Sequence, residues 1–177
     1  MQQKVSSRNR DRALQAIDRL DLRILGALQE NGRMSNRDLA DQVGLSDSPC
    51  LVRVKRLERI GLISRYMAVI ELRRFVETVT FISLLYLRES DMKAARALEA
   101  FLQNLPELTE LFDVNGECDY IARFVCRSTE DYSNIARSLL DTPLFQVRQI
   151  NSYIVLRQVH AYRGVNLSHL LAERAGE

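Results

Sequence analysis

The chain has 177 residues and a formal net charge of +2; 46% of its residues are hydrophobic and 27% are charged. This length and composition suit one or two small globular domains with their own cores. No apolar run approaches the roughly 20 residues of a membrane span, and the polar start of the chain lacks the apolar core of a signal peptide. We therefore predict a cytoplasmic protein with no membrane partner.

The two halves of the chain differ in charge. Residues 1–74 hold 15 Lys and Arg against 9 Asp and Glu, a net of +6, whereas residues 75–177 hold 10 against 14, a net of −4. A basic domain suits contact with phosphates, because each basic side chain that neutralises a phosphate releases counterions. The asymmetry favours a DNA-binding domain followed by a regulatory domain.

Helical periodicity dominates the start of the chain. Residues 1–16 form a polar basic arm, and an apolar stripe over 17–30 predicts the first helix, which ends at Asn31-Gly32. Residues 35–43 and 47–60 predict two further helices, separated by a tight turn at Gly44. Two short helices joined in this way are typical of a helix-turn-helix.

The third of these helices has a basic outer face. Its spacing places Cys50, Val54 and Leu57 in the core. Ser35 and Asp38 predict a capping box at the start of the second helix, and Ser46 or Ser48 can cap the third. A helix of this kind can enter the major groove of duplex DNA. We predict DNA contacts from Ser35, Asn36, Ser46, Ser48, Val52, Arg53, Lys55, Arg56 and Arg59.

The segment after the third helix completes this domain. Residues 62–72 predict a short hairpin or an extended wing, with Arg65 available to a backbone phosphate. Residues 17–66 then form a winged helix-turn-helix, and residues 67–77 form a linker. A dimer of such domains is expected to read a pseudo-palindromic operator with half-sites about one helical turn apart.

The second half of the chain has the order β-α-β-β-α-β over residues 78–157, which is the split ferredoxin-like motif. The fold class is therefore α+β, and residues 158–177 are a C-terminal extension without an assigned role. Two helices can cover only one face of the sheet, so we predict that the other face pairs with a second subunit. Periodicity leaves open whether Ile82 and Leu84, or Phe81, Leu85 and Leu87, lie on that face. The predicted elements are 78–88, 91–104, 108–115, 119–127, 129–140 and 147–156.

These motifs resemble those of the Lrp/AsnC, or feast/famine, transcriptional regulators. The resemblance rests on LDLRIL, NGRMSNRDL and VGLSDSPCLVRVKRLERIGLI in the first half and on VNGECDYIARF in the second, and it covers residues 17–157. It implies a winged helix-turn-helix followed by a βαββαβ ligand-sensing domain. It also implies homodimers that assemble into octamers, and a small-molecule effector that is usually an amino acid.

The resemblance implies an effector site as well. Its residues are Gly116, Asp119 and Tyr120 in the turn before the third strand, and Ser152, Tyr153 and Ile154 in the last strand. A carboxylate at Asp119 could hold the ammonium group of an amino acid, and backbone N–H groups at the turn could hold its carboxylate. Gly116 is also explained by a structural role in the turn, and Asp119 by capping of that turn. The chain departs from the family pattern between Pro143 and the last strand, where it lacks the usual glycine.

The sequence gives less support to other classes of function. The cysteines Cys50, Cys118 and Cys126 lie in apolar stretches without CxxC spacing and predict reduced core thiols, with no metal or cofactor. No catalytic triad or phosphate-binding glycine loop occurs, so we predict that the chain is not an enzyme. A siroheme decarboxylase of this fold remains an alternative, although both histidines lie in the C-terminal extension. A second alternative is an architectural DNA-binding protein without an effector.

Overall fold

A computed structural model of the chain describes residues 17–88, 91–160, 162 and 164–167. They divide into two compact units: residues 17–69 with the described residues after 161, and residues 70–160. The predicted basic arm and most of the C-terminal extension, His169 included, lie outside the described residues. Among the helices described here, none is long and apolar enough to cross a membrane.

The first unit contains the three predicted helices, α1 (Arg19–Glu30), α2 (Asn36–Val43) and α3 (Asp47–Arg59). Their buried apolar side chains form one core, to which all three helices contribute. Of the two forms predicted for the wing, the hairpin is not present, because residues 62–71 contain no strand and form an irregular segment. The core residues are Ile24, Ala27, Leu39, Ala40, Val43, Cys50 and Leu57.

The helix starts differ in part from the prediction. Ser35 caps α2 by accepting a hydrogen bond from the Asp38 amide at 3.1 Å. The reciprocal half of the capping box is altered, because the Asp38 carboxylate accepts from the Ser35 hydroxyl at 2.6 Å and not from the Ser35 amide. Ser46 is the residue before α3, but its hydroxyl makes no capping hydrogen bond. Gly44 has φ +74°, so the turn between the helices requires a left-handed residue.

The second unit confirms the βαββαβ order. Its elements are β1 (Val79–Leu87), α4 (Met92–Gln103), β2 (Leu108–Asp113), β3 (Tyr120–Cys126), α5 (Thr129–Asp141) and β4 (Val147–Ile154). The four antiparallel strands are arranged β2-β3-β1-β4, with both long helices over one face. The helix α4 is capped by Asp91, whose side chain accepts a hydrogen bond from the Lys93 amide.

Burial alternates along β1 and identifies the covered face. Phe81, Leu85 and Leu87 are buried in the core beneath the helices, whereas Ile82 and Leu84 are half-buried on the opposite face. The alternative that periodicity left open is thus resolved within this unit. We call the side of the sheet that carries Ile82 and Leu84 the open face.

Candidate DNA-binding and effector sites

The outer face of α3 is exposed as predicted at four positions. Ser48, Val52, Lys55 and Arg59 are all exposed, and 65% of the Val52 surface is accessible. Ser46, just before the helix, is exposed too, and its hydroxyl is not used for capping. Proteins contact DNA phosphates and base edges through hydroxyls, apolar side chains and cations. This helix face presents all three kinds of group.

Arg53 and Arg56 do not form part of that free face. Arg53 Nη1 donates to Asp18 Oδ2 at 2.7 Å and to Asp21 Oδ1 at 2.9 Å, and Arg56 Nη2 donates to Asp21 Oδ2. The long side chain of Arg56 reaches across to α1, and the DNA contacts predicted for Arg53 and Arg56 stay predictions. We call these four residues, Asp18, Asp21, Arg53 and Arg56, the Asp–Arg clamp.

The clamp is built into the start of α1. Asp18 and Asp21 form a reciprocal capping box, with the Asp21 amide donating to Asp18 at 2.9 Å and the Asp18 amide donating to Asp21 at 3.1 Å. Partial burial alone would raise the pKa of the Asp18 carboxyl, but the Asp21 amide and Arg53 lower it overall. The hydrogen bonds to Asp21 and Asp18 raise the pKa of Arg53. Both ionised partners are thus stabilised.

Sequence reasoning missed Asp21, although a signal was present. Asp21 lies four residues after Ile17 and three before Ile24, which places a carboxylate on the apolar stripe of α1. Its side chain is 0% exposed. A buried carboxylate requires a charged or hydrogen-bonding partner. The two arginines that pair with Asp21 were assigned to DNA instead.

Two of the predicted contact residues on α2 already have partners within the unit. Ser35 exchanges hydrogen bonds with Asp38. The Asn36 amide nitrogen donates to the Asp47 carbonyl at 2.9 Å and so joins the start of α2 to the start of α3. Arg65 is exposed in the irregular segment after α3. Ser35 and Asn36 therefore shape the turn, and Arg65 is available to solvent.

A shallow depression of about 490 Å³ lies beside the outer face of α3. It is lined by the clamp residues Asp18, Arg53 and Arg56 together with Ser48, Pro49 and Val52. The clamp and the exposed recognition residues thus border the same surface of the first unit.

In the second unit, Asp119 and Tyr120 have partners inside the fold. Asp119 Oδ2 accepts a hydrogen bond from the Leu87 amide at 2.7 Å. Tyr120 is buried and its hydroxyl donates to Glu99 Oε1 at 2.8 Å; burial and Glu99 raise the pKa of Tyr120. The hydroxyl of Tyr120 is therefore occupied by α4.

The structure gives no support to the structural role that the sequence suggested for Gly116. Its φ lies outside the left-handed region, and a Cβ at this position would meet no atom within 4 Å. Neither the backbone conformation nor packing within the described residues requires glycine here. The position leaves open space above the turn.

The three predicted β4 residues point to two faces of the sheet. Tyr153 lies opposite Ile82 on the open face, whereas Ser152 and Ile154 lie opposite Ser83 and Phe81 on the helix side. The Ser152 hydroxyl is linked to the buried Ser83 through Tyr132: the Ser83 and Tyr132 oxygens are 2.7 Å apart, and Tyr132 also contacts Ser152.

One protomer does not bring the two predicted halves of the effector site together. Tyr120 pairs with Leu85 on one side of β1, and Ser152 pairs with Ser83 on the other. Asp119 contacts Leu87, four residues along β1 from Ser83, which corresponds to about 13 Å of strand. Among the described residues, the two halves therefore do not line a common pocket within this single chain.

Comparison with known proteins matches both units. Residues 17–64 match a family described as winged helix-turn-helix DNA-binding, and residues 80–165 match the Lrp/AsnC ligand binding domain. The chain is 35% identical over 147 residues to the leucine-responsive regulatory protein of Haemophilus influenzae, covering 81% of this chain and 86% of that protein. It is 31% identical over 143 residues to the transcriptional regulatory protein DoeX of Halomonas elongata, covering 81% and 90%.

Solved structures give the same result. An AsnC family transcriptional regulator from Agrobacterium tumefaciens aligns with a TM-score of 0.79 and 26% identity, over 88% of this chain and 100% of that one. A transcriptional regulator from Neisseria meningitidis in complex with L-Met aligns with a TM-score of 0.78 and 31% identity, over the same shares. The chain therefore belongs to the Lrp/AsnC family of transcriptional regulators.

Proposed function

We propose that this regulator binds duplex DNA through Ser46, Ser48, Val52, Lys55 and Arg59. The observation that carries the proposal is the exposed outer face of α3, on which Lys55 and Arg59 make no ion pair among the described residues. Arg65 extends the basic surface beyond the helix. Ser35 and Asn36 act by shaping the turn that presents α3, and Asn36 does so through the Asp47 carbonyl.

Salt dependence tests this assignment. A duplex selected from a random pool by the wild-type protein serves as the probe, and its affinity is measured across a series of salt concentrations. Lys55→Ala and Arg59→Ala should each reduce the slope of log affinity against log salt by about 1 if each side chain neutralises a phosphate. Lys93→Ala, which removes an exposed cation from α4, is the matched control and should leave the slope unchanged.

An unchanged slope together with an unchanged affinity in both α3 variants would contradict the assignment of this face. Failure of the wild-type protein to bind any duplex would contradict DNA binding itself. A change in affinity that is equal at all salt concentrations, with no change in slope, would assign Lys55 and Arg59 to the base edges instead of the phosphates.

We further propose an amino acid as the effector and a homodimer as the unit that binds it. The match of residues 80–165 to a ligand binding domain and the L-Met complex of the Neisseria meningitidis relative support an amino acid. The dimer is supported by the uncovered apolar residues of the open face. It would also account for the separation of Asp119 from Ser152 in one protomer, since a second subunit can supply the missing half.

A thermal-shift screen tests the effector. Each amino acid, with L-Met first, is added to purified protein, and the melting temperature is compared with that of the free protein. A specific ligand stabilises the folded state by mass action, so the correct amino acid should raise the melting temperature in a concentration-dependent way. The same amino acid should change the affinity for the selected duplex. If no amino acid alters either quantity, the effector proposal is wrong, whereas DNA binding would stand.

A further inference from the structure

The first unit contains a carboxylate without access to solvent, that of Asp21. Asp21 is 0% exposed, and each of its carboxylate oxygens accepts from an arginine of α3: Oδ1 from Arg53 at 2.9 Å and Oδ2 from Arg56. Asp18 accepts from the same Arg53 nitrogen at 2.7 Å. Two arginines of the recognition helix are therefore held by the first turn of a different helix.

The geometry of these hydrogen bonds matters more for function than their contribution to stability. An apolar side chain of similar volume at Asp21 could contribute as much stability, because the free-energy cost of removing the charges from water offsets most of the attraction between them. An apolar contact, however, permits a helix to slide or rotate by small amounts, whereas a carboxylate bound at both oxygens fixes the positions of its donors. The clamp therefore restrains the rotation of α3 about its own axis.

Helical geometry shows which surface that rotation controls. Arg56 lies only about 40° around the helix from Val52, and the other exposed positions, Ser48, Lys55 and Arg59, lie within about 60° of Val52 on its other side. The exposed face and the clamped side chains are thus adjacent strips of one helix. A small rotation of α3 would replace one strip by the other at the surface.

We propose that Asp21 is a positioning residue for DNA recognition, fixing through Arg53 and Arg56 the rotation at which Ser48, Val52 and Lys55 are presented. This inference rests on the proposed DNA-binding function. Asp21 itself does not contact DNA, and Arg53 and Arg56 act through it. Base-specific contacts require accurate placement, whereas attraction between cations and phosphates tolerates small shifts. Loss of the clamp should therefore reduce sequence discrimination more than non-specific affinity.

The test measures the ratio of affinities for a duplex selected by the wild-type protein and for a mixed-sequence duplex. Asp21→Asn retains the size of the side chain and removes its charge. It should lower this ratio by about tenfold or more, the size of effect expected within a shared ion-pair network. Its affinity for the mixed-sequence duplex and the salt slope of that affinity should stay close to the wild-type values. Asp41→Asn, which removes an exposed carboxylate from α2, is the matched control and should keep the wild-type ratio.

A double-mutant cycle separates positioning from direct contact. Arg56→Ala should lower the ratio as Asp21→Asn does, and the double variant should be no worse than either single variant, because both remove the same restraint. A lower salt slope in Arg56→Ala would show that Arg56 neutralises a phosphate and would overturn the proposal. An unchanged ratio in folded Asp21→Asn would overturn it as well.

A second variant covers failure to fold. Circular dichroism establishes whether Asp21→Asn is folded; if it is not, Asp18→Asn replaces it, since half of the Asp18 side chain is exposed and only the outer part of the clamp is lost. That variant should give a smaller drop in the ratio, and a wild-type ratio would contradict the proposal. If the wild-type protein itself selects no duplex, the DNA-binding function fails, which is a separate result.

Discussion

The carboxylate of Asp119 accepts a hydrogen bond from the backbone amide of Leu87 at 2.7 Å. The strand pairing is irregular between Tyr86 and Leu87. The carbonyl of the same residue, Leu87, accepts a hydrogen bond from Arg148 Nε at 3.0 Å. Two side chains therefore satisfy the polar groups of Leu87 at the end of β1, because a buried peptide group needs a partner. Asp119 has a structural role at β1, which differs from the capping of its own turn that the sequence suggested.

Replacing Asp119 in two ways separates this role from effector binding. Asp119→Ala should lower the free energy of unfolding by about 1–3 kcal/mol, because the Leu87 amide loses its acceptor. Asp119→Asn keeps an oxygen that can accept from Leu87 and should be less destabilised, but it has no charge for an ammonium group. If Asp119 holds the effector, Asp119→Asn should show no ligand-induced rise in melting temperature. A full ligand-induced rise in this variant would contradict the binding role of Asp119.

Gln146 is the one non-glycine residue with positive φ, at 54°, among those that the structure describes. It follows the short helical turn Pro143–Phe145 and directly precedes β4. The left-handed conformation is unfavourable for side chains with a Cβ, so Gln146→Gly should raise the free energy of unfolding by roughly 0.5–1 kcal/mol. Gln149→Gly, in the extended part of β4, should instead lower it by a similar amount. Chemical denaturation measures both, and a destabilised Gln146→Gly would contradict the explanation.

The order of helices and strands could be predicted because periodicity is a local property of the sequence. The stripe of α1 and the alternation of β1 each reflect one helix or strand and its buried side, and the resulting elements agree with the structure to within a few residues. The form of the wing could not be predicted in this way, because a hairpin depends on pairing between two segments, and residues 62–71 contain no strand.

The candidate sites were harder to predict because they depend on contacts between distant segments. The helical spacing of Arg56 predicts DNA contact, and only the three-dimensional position of Asp21, 35 residues earlier, shows that its guanidinium is engaged by α1. Likewise, Asp119 directly precedes β3 and Ser152 lies in β4, and both strands pair with β1, but the two residues lie at different positions along β1. Register and side-chain reach are not encoded in the spacing of one segment.

The open face of the sheet provides a prediction about assembly. Leu84→Glu should leave the protomer folded, because Leu84 is only half-buried in one chain, but it should prevent dimer formation by placing an unpaired charge in the interface. Light scattering at micromolar concentration should show a dimer for the wild type and a monomer for the variant. Met92→Glu introduces the same charge at an exposed position of α4 and should remain dimeric. A monomeric wild type, or a dimeric Leu84→Glu, would contradict the proposed interface.

Tyr66 links the irregular segment after α3 to α3 itself, because its hydroxyl donates to Glu58 Oε1 at 2.9 Å. Partial burial and Glu58 raise the pKa of Tyr66 to about 12. A raised pKa means that the protonated hydroxyl stabilises the folded state at pH values below the unfolded-state pKa near 10. This contribution is lost as the pH rises towards 12.

Tyr66→Phe should therefore lower the free energy of unfolding by about 0.5 kcal/mol at neutral pH, the low end for a hydrogen bond of a half-exposed group. Between pH 10 and 12 the difference from wild type should shrink, whereas the exposed Tyr162→Phe should match wild type throughout. Chemical denaturation across this pH range measures the effect, and a difference that grows with pH would show that the bond to Glu58 does not stabilise the fold.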